Sequence, residues 1–163
     1  MIELRDALPH EYDAVGDLTY DVYVGDGYIG HDWDYVAELR DTARRAKEAE
    51  VVVAVEDGVL LGSITSCPAG SPWKELAGDG EGEFRLLAVA GAARGRGVGE
   101  ALIRECIARS QAAGDRGMAL STMATMTAAH RIYERLGFSR SPEEDWWPGP
   151  HVQLLAFRMT HAG

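Results

Sequence analysis

The segment Arg94-Gly95-Arg96-Gly97-Val98-Gly99 constrains this chain more than any other. It joins a buried apolar strand at 84–89 to the strongest helical stretch, residues 97–113. Glycines let the backbone turn tightly and bare its N–H groups. A helix N-terminus adds about half a positive charge. With two arginines beside it, such a junction suits a phosphate or pyrophosphate. The bland alternative is a strand-to-helix turn that holds nothing. Two nucleotide motifs fail on particular positions. A Walker loop needs Lys-Ser or Lys-Thr after its last glycine, and Gly99 is followed by Glu100. The dinucleotide fingerprint needs a third glycine where Leu102 or Glu100 stands, and an acid that the next strand, 118–121, does not carry.

Hydrophobic periodicity organises the rest. Residues 2–4 read as a short strand, and residues 11–23 as a helix with Tyr12, Val15, Leu18 and Val22 on one stripe. A second helix is predicted over 33–49. The continuous apolar run Val51 to Val55, the Asp57-Gly58 turn and residues 59–66 read as a hairpin. Residues 67–82, with four glycines and two prolines, read as a loop. In the 97–113 helix Val98, Leu102 and Cys106 repeat at i+4, with Glu100–Arg104 and Glu105–Arg109 pairs on the solvent side. A strand at 118–121, a helix at 127–136 closed by Gly137, a strand from Phe138, a Pro- and Trp-rich loop at 140–151 and a strand at 152–159 complete the chain. A hairpin followed by alternating strands and helices predicts one α/β (α+β) domain, 1–163, with a mixed sheet.

Composition excludes several classes. The longest purely apolar runs are five residues, against about 20 for a membrane span. The two cysteines form no CxxC and no disulfide framework, which fits a reducing cytoplasm. The five histidines show no ligand spacing, so no metal is expected. The net charge of −10 disfavours nucleic acid and anionic membranes. Charge is uneven: residues 1–50 carry −8, whereas residues 91–140 carry +4. That pattern suits an anionic ligand at the basic block and a cationic one near the N-terminal block.

Arg94, Gly97 and Gly99 sit at the fixed places of R/Q-x-x-G-x-G/A. Glu83-Phe84-Arg85-Leu86-Leu87-Ala88-Val89 precedes them, and Ala129-His130-Arg131-Ile132-Tyr133-Glu134-Arg135-Leu136-Gly137-Phe138 follows. Three linked motifs in this order resemble the GCN5-related N-acetyltransferase (GNAT) superfamily. The resemblance implies a mostly antiparallel sheet of six to seven strands, helices on both faces and two splayed parallel strands, 83–89 and 118–121. It implies acetyl-coenzyme A as cosubstrate. Leu87, Ala88 and Val89 would pair with the pantetheine arm through their backbone. Arg94, Gly95, Arg96, Gly97, Val98 and Gly99 would hold the pyrophosphate.

Two catalytic roles follow from the same resemblance. Tyr133 matches a tyrosine that protonates the leaving thiolate; the alternative is a core-packing ring. Glu83 matches a position where some members carry a general base. Strand alternation puts Glu83, Arg85, Leu87 and Val89 on one face, so Arg85 would weaken that base. A water relay or an acid among Glu143, Glu144 and Asp145 is an equal alternative. Met126 stands where the family usually has Asn, and Thr125, Thr127, Ser121 or Thr122 are the candidates to replace its hydrogen bonds. His130 is expected to serve a surface or capping role.

The acceptor is expected between the N-terminal helices and the last strands. There Tyr20, Tyr23, Tyr28, Trp33 and Tyr35 stand among Asp21, Asp26, Asp32 and Asp34, and Trp146 and Trp147 beside the acids at 143–145. Aromatics with carboxylates suit an ammonium group. A small-molecule or protein amine fits equally, and a homodimer is left open. The alternative to an enzyme is a non-catalytic module that binds coenzyme A or another phospho-ligand.

Overall fold

The computed structural model describes residues 1–30, 35–150 and 152–161. Eight strands form one mixed sheet, in the order β1-β2-β3-β4-β5-β8-β6, with β7 paired to β8. They are β1 (Glu3–Asp6), β2 (Glu50–Glu56), β3 (Val59–Cys67), β4 (Glu81–Val89), β5 (Gly117–Met123), β6 (Ser139–Arg140), β7 (Trp146–Gly149) and β8 (Val152–Thr160). All neighbours are antiparallel except β4 and β5. The expected mixed, mostly antiparallel sheet is present. The added strand is β7, which falls in the stretch read as loop. Proline and glycine in it mask the strand pattern, and pairing to β8 imposes it.

The helices are α1 (Tyr12–Tyr20), α2 (Tyr35–Arg40), α3 (Thr42–Glu48), α4 (Val98–Ala112) and α5 (Thr127–Arg135). The single helix expected over 33–49 is two helices where it is described. Asp41 breaks it, with its carboxylate accepting the Arg44 N–H at 3.3 Å as the N-cap of α3. Its residues 33–34 lie outside the described residues. The helix expected over 11–23 also changes character, with one π-type turn over Asp21–Gly25.

Both faces of the sheet are covered, which is why β2 reads as an unbroken apolar run. Val52 and Ala54 join the core formed with α4 and α5 around Leu102, Ile103 and Phe157. Val51, Val53 and Val55 pack with Val15 of α1 on the opposite side. Leu102 and Ile103 are wholly buried, so truncating either to Ala would destabilise the fold by about 2–5 kcal/mol.

Strand β4 departs from simple alternation. Ser63 of β3 pairs with Ala88 and Thr65 with Arg85, so two residues of β4, Leu86 and Leu87, oppose the single Ile64. Leu86 has φ +57, in the left-handed region. This β-bulge reverses the facing of everything after it. Leu87 and Val89 pack on the α4–α5 side with Phe84, whereas Leu86 and Ala88 pack on the other. The expectation that Glu83, Arg85, Leu87 and Val89 share one face is therefore corrected.

Candidate functional site

The parallel pairing of β4 with β5 lasts only three residues: Glu81 with Gly117, Gly82 with Met118, and Glu83 with Ala119. Beyond that point the two strands pair only with their outer neighbours, β3 and β8. The opening is a cavity of about 250 Å³. Phe84, Leu86 and Leu87 line it from β4, Ser121, Thr122 and Met123 from β5, and Ala129 and Tyr133 from α5. Tyr23, Tyr35, Glu38, Glu75 and Arg85 form its polar part.

At the start of α4, Gly97 adopts φ +76 and nothing lies within 4 Å of an added Cβ. The first helical hydrogen bond runs from Ala101 N–H to Gly97 O at 3.0 Å. Among the described residues, the N–H groups at 97–100 have no protein acceptor. They form an open cradle of donors beside β4, of the kind that suits an anion: a Cβ on Gly99 would lie 3.6 Å from Val89 and 3.8 Å from Leu87. Arg94 reaches Asp26, and Arg96 reaches Glu56 at 2.7 Å. Both arginines are largely exposed, so water screens these pairs and they hold the arginines weakly.

Tyr133 is 4% exposed and lies late in α5, against Phe84, Phe138 and Phe157. Burial pushes its phenol up to about 12, against a hydrogen bond from Thr122 that works the other way. His130 stacks on it, with Nε2 placed 3.0 Å from the Met123 carbonyl, a structural contact that ties α5 to the end of β5.

Glu83 is wholly buried, and it does not line the cavity. Its carboxylate accepts the backbone N–H groups of Glu75, Leu76 and Ala77 at 2.9–3.1 Å. Nor do the alternative acids reach the cavity. Asp145 makes a two-point pair with Arg140, Glu144 pairs with Arg158, and Glu143 accepts the Ser141 hydroxyl. Of the expected aromatic–acid cage, Tyr23 and Tyr35 face the cavity. Trp146 donates to Ser121 Oγ at 3.3 Å, Trp147 is exposed, and Trp33, Asp32 and Asp34 lie outside the described residues.

The acids that do line the cavity, Glu38 and Glu75, were not singled out from sequence. Glu75 sits in the Gly- and Pro-rich loop, with its Oε1 3.0 Å from Arg85 Nε. Burial raises its carboxyl above the ordinary value, with Arg85 opposing. Arg85 also donates to Tyr35 Oη at 2.7 Å and to the Trp73 carbonyl at 3.2 Å. Met126 stands at the N-cap position of α5 without a side-chain cap and lines the cavity; Ser121 and Thr122 supply hydroxyls there, whereas Thr125 and Thr127 are exposed. Among the described residues there is no cluster suited to a metal, and no helix long and apolar enough to cross a membrane.

Leu87 presents its carbonyl to Tyr23 Oη at 3.2 Å, while Ala88 and Val89 continue the unpaired edge of β4. The two cysteines are buried and free, and burial raises both thiols, that of Cys106 to about 12.

Known proteins resemble this chain in sequence and in fold. An uncharacterised N-acetyltransferase of Schizosaccharomyces pombe is 30% identical over 110 residues, 68% of this chain and 63% of its own length. A mycothiol acetyltransferase of Cellulomonas flavigena is 33% identical over 111 residues, 60% of this chain and 30% of its own. Thus the chain spans less than two thirds of either relative. A GNAT-family acetyltransferase from Staphylococcus aureus superposes with a TM-score of 0.78 at 13% identity, covering 98% of this chain and 99% of that one. A putative acetyltransferase from Salmonella typhimurium, solved with acetyl-CoA, superposes at 0.71 and 21% identity, covering 100% and 97%. The family model described as Acetyltransferase (GNAT) family matches residues 14–138, which hold the open strand pair, the cradle and Tyr133. On that match the chain belongs to the GNAT acetyltransferase family.

Proposed function

We propose that this protein moves an acetyl group from acetyl-coenzyme A to a primary amine by direct attack of the amine on the thioester. The observation that carries the reading is the parting of β4 and β5 after Glu83, with a free N–H cradle beside β4 and Tyr133 among the residues of the cavity wall. The residues fit the cosubstrate. Four N–H groups with no acceptor among the described residues and an open Gly97 suit a pyrophosphate. The edge of β4 at Leu87, Ala88 and Val89, which β5 does not pair and where Tyr23 already holds the Leu87 carbonyl, suits the amides of a pantetheine arm.

Tyr133 is the proposed general acid. With its phenol near 12 it keeps its proton at every working pH. A thiolate leaving into the same buried cavity is also made more basic, which favours the transfer. This separates the reading from a module that only binds coenzyme A. Cys67 and Cys106 are buried thiols held protonated, and neither lines the cavity, so neither suits an acetyl carrier. The acceptor is an amine without an anionic group near its nitrogen, because Glu38 and Glu75 outnumber Arg85 in the cavity.

The test is thiol release from acetyl-coenzyme A with a panel of amines. Intersecting initial-velocity lines are expected for direct attack. Parallel lines would point to an acetyl-enzyme, and no release with any amine would overturn the reading.

A further inference from the structure

The loop between β3 and β4, residues 68–80, is an unusually fastened one. Ser71 Oγ donates to the Glu48 carbonyl at 2.6 Å, and Trp73 Nε1 to the Glu48 carboxylate at 3.0 Å. Lys74 Nζ donates to the Glu81 carbonyl at 2.6 Å. Three successive N–H groups, at 75–77, then close on the buried Glu83 carboxylate. So many anchors on a Gly- and Pro-rich segment leave little freedom at its centre. What they hold in place is one side chain, Glu75, which lines the cavity and lies about a quarter exposed.

We propose that Glu75 is the catalytic residue that removes the proton of the acceptor's ammonium group, and that Glu83 is a positioning residue that holds it there. The proposal rests on the acetyl-transfer reading above. In the step, the acceptor R–NH₃⁺ gives one proton to the Glu75 carboxylate, which later releases it to solvent. The nitrogen lone pair forms the N–C bond to the acetyl carbonyl, and the C–S bond breaks. Tyr133 gives its proton to the leaving sulfur. The second excess proton on nitrogen restores Tyr133, and the third stays on the amide.

The electrostatics suit a base. Arg85 and Glu83 face Glu75 from β4, and Glu38 faces it from α2. Arg85 steadies the carboxylate, while burial and the two neighbouring acids make it more basic than an exposed glutamate. Glu38 also lines the cavity, but its carboxylate has no hydrogen-bond partner among the described residues to orient it. Glu83 meets no substrate, since its two oxygens are taken by the loop it anchors.

The experiment is a pH profile of kcat/KM with phenethylamine, spermidine and L-methioninamide as probe acceptors. In the wild type, the profile should level off below the acceptor's own pKa, because the enzyme itself deprotonates the bound ammonium. Glu75→Gln should be slower by about 10²–10⁴-fold at pH 7 and keep rising to the acceptor's pKa, where the free amine no longer needs a base. Glu83→Gln, checked for folding by its melting curve, should lower kcat yet keep the wild-type shape, since the base is misplaced but present. Calorimetry gives a readout apart from turnover: phenethylamine binding to the coenzyme A complex should weaken at least tenfold in Glu75→Gln. A wild-type profile for Glu75→Gln overturns the proposal, as does the same loss appearing in Glu38→Gln instead. If the wild type releases thiol with none of these three and with no other amine of the panel, the acetyl-transfer reading falls with it; acetylation with an unaltered Glu75→Gln profile overturns Glu75 alone.

Discussion

The two ends of the cleft are built on opposite principles. The cradle at the start of α4 offers backbone N–H groups from one continuous run, 97–100. The polar end of the cavity offers side chains from α2, β4 and the 68–80 loop: Tyr35, Glu38, Arg85 and Glu75. A backbone site needs only a turn that side chains do not obstruct, so it tolerates many sequences and can bind one ligand across a family. A side-chain site depends on which residues the fold brings together, so it can be retuned for a new acceptor while the other end stays constant.

Gly97→Asp breaks the backbone end most directly. Nothing lies within 4 Å of the new Cβ, so the fold should survive with modest strain at φ +76. A carboxylate would then occupy the anion's place. Calorimetry should show acetyl-coenzyme A affinity reduced beyond measurement; unchanged affinity in a folded variant would mean the cradle lies elsewhere.

Tyr133→Phe probes the junction between the ends. It keeps the packing on Phe84 and Phe157 and removes one proton. kcat should fall about 10²–10⁴-fold with little change in acetyl-coenzyme A binding. Because the phenol sits near 12, the wild-type rate should show no alkaline fall due to Tyr133 below about pH 11. A kcat within about threefold of wild type, with chemistry rate-limiting, would reduce Tyr133 to a packing ring.

Changing the acceptor's charge sharpens the side-chain end. Adding a carboxylate beside the amine should lower kcat/KM about tenfold or more, through Glu38 and Glu75, about 1.4 kcal/mol per factor of ten. A preference for anionic amines would show that Arg85, not the acids, governs recognition. The smallest effect is expected for Arg94→Ala. Its exposed pair with Asp26 must be given up to reach a phosphate, so the net loss in affinity should be only a few fold. A hundredfold loss would shift the weight from backbone to side chain.

The cradle and the sheet were legible because their signals are local. A strand, a glycine turn and an i+4 helix follow one another within 84–113, and the same residues build the structure. The polar end was not legible. Glu75 lies among glycines and prolines with no periodicity around it, and its loop is given one position by long-range bonds: three amides on Glu83, and Ser71 and Trp73 on Glu48. The motif marks Glu83 as one candidate base among several; only the structure shows its carboxylate accepting three amides of that loop. The bulge at Leu86 and Leu87 gives no sign in an apolar run, because alternation in such a run looks the same in either register.

Charge shows the same division. The sequence by itself determined that residues 91–140 carry +4 and residues 1–50 carry −8. Tertiary structure decided what those charges do. Three of the block's eight arginines, Arg94, Arg96 and Arg109, reach Asp26, Glu56, Asp6 and Glu50 from the N-terminal part of the chain, and two of the three flank the Gly97 turn. What the block leaves for a ligand is chiefly backbone N–H. Helix, turn and apolar stripe depend on residues a few positions apart, so the sequence carries them in order. Ion pairing, facing after a bulge and the acids of a cavity depend on groups tens of residues apart, and only the packed sheet sets their distances.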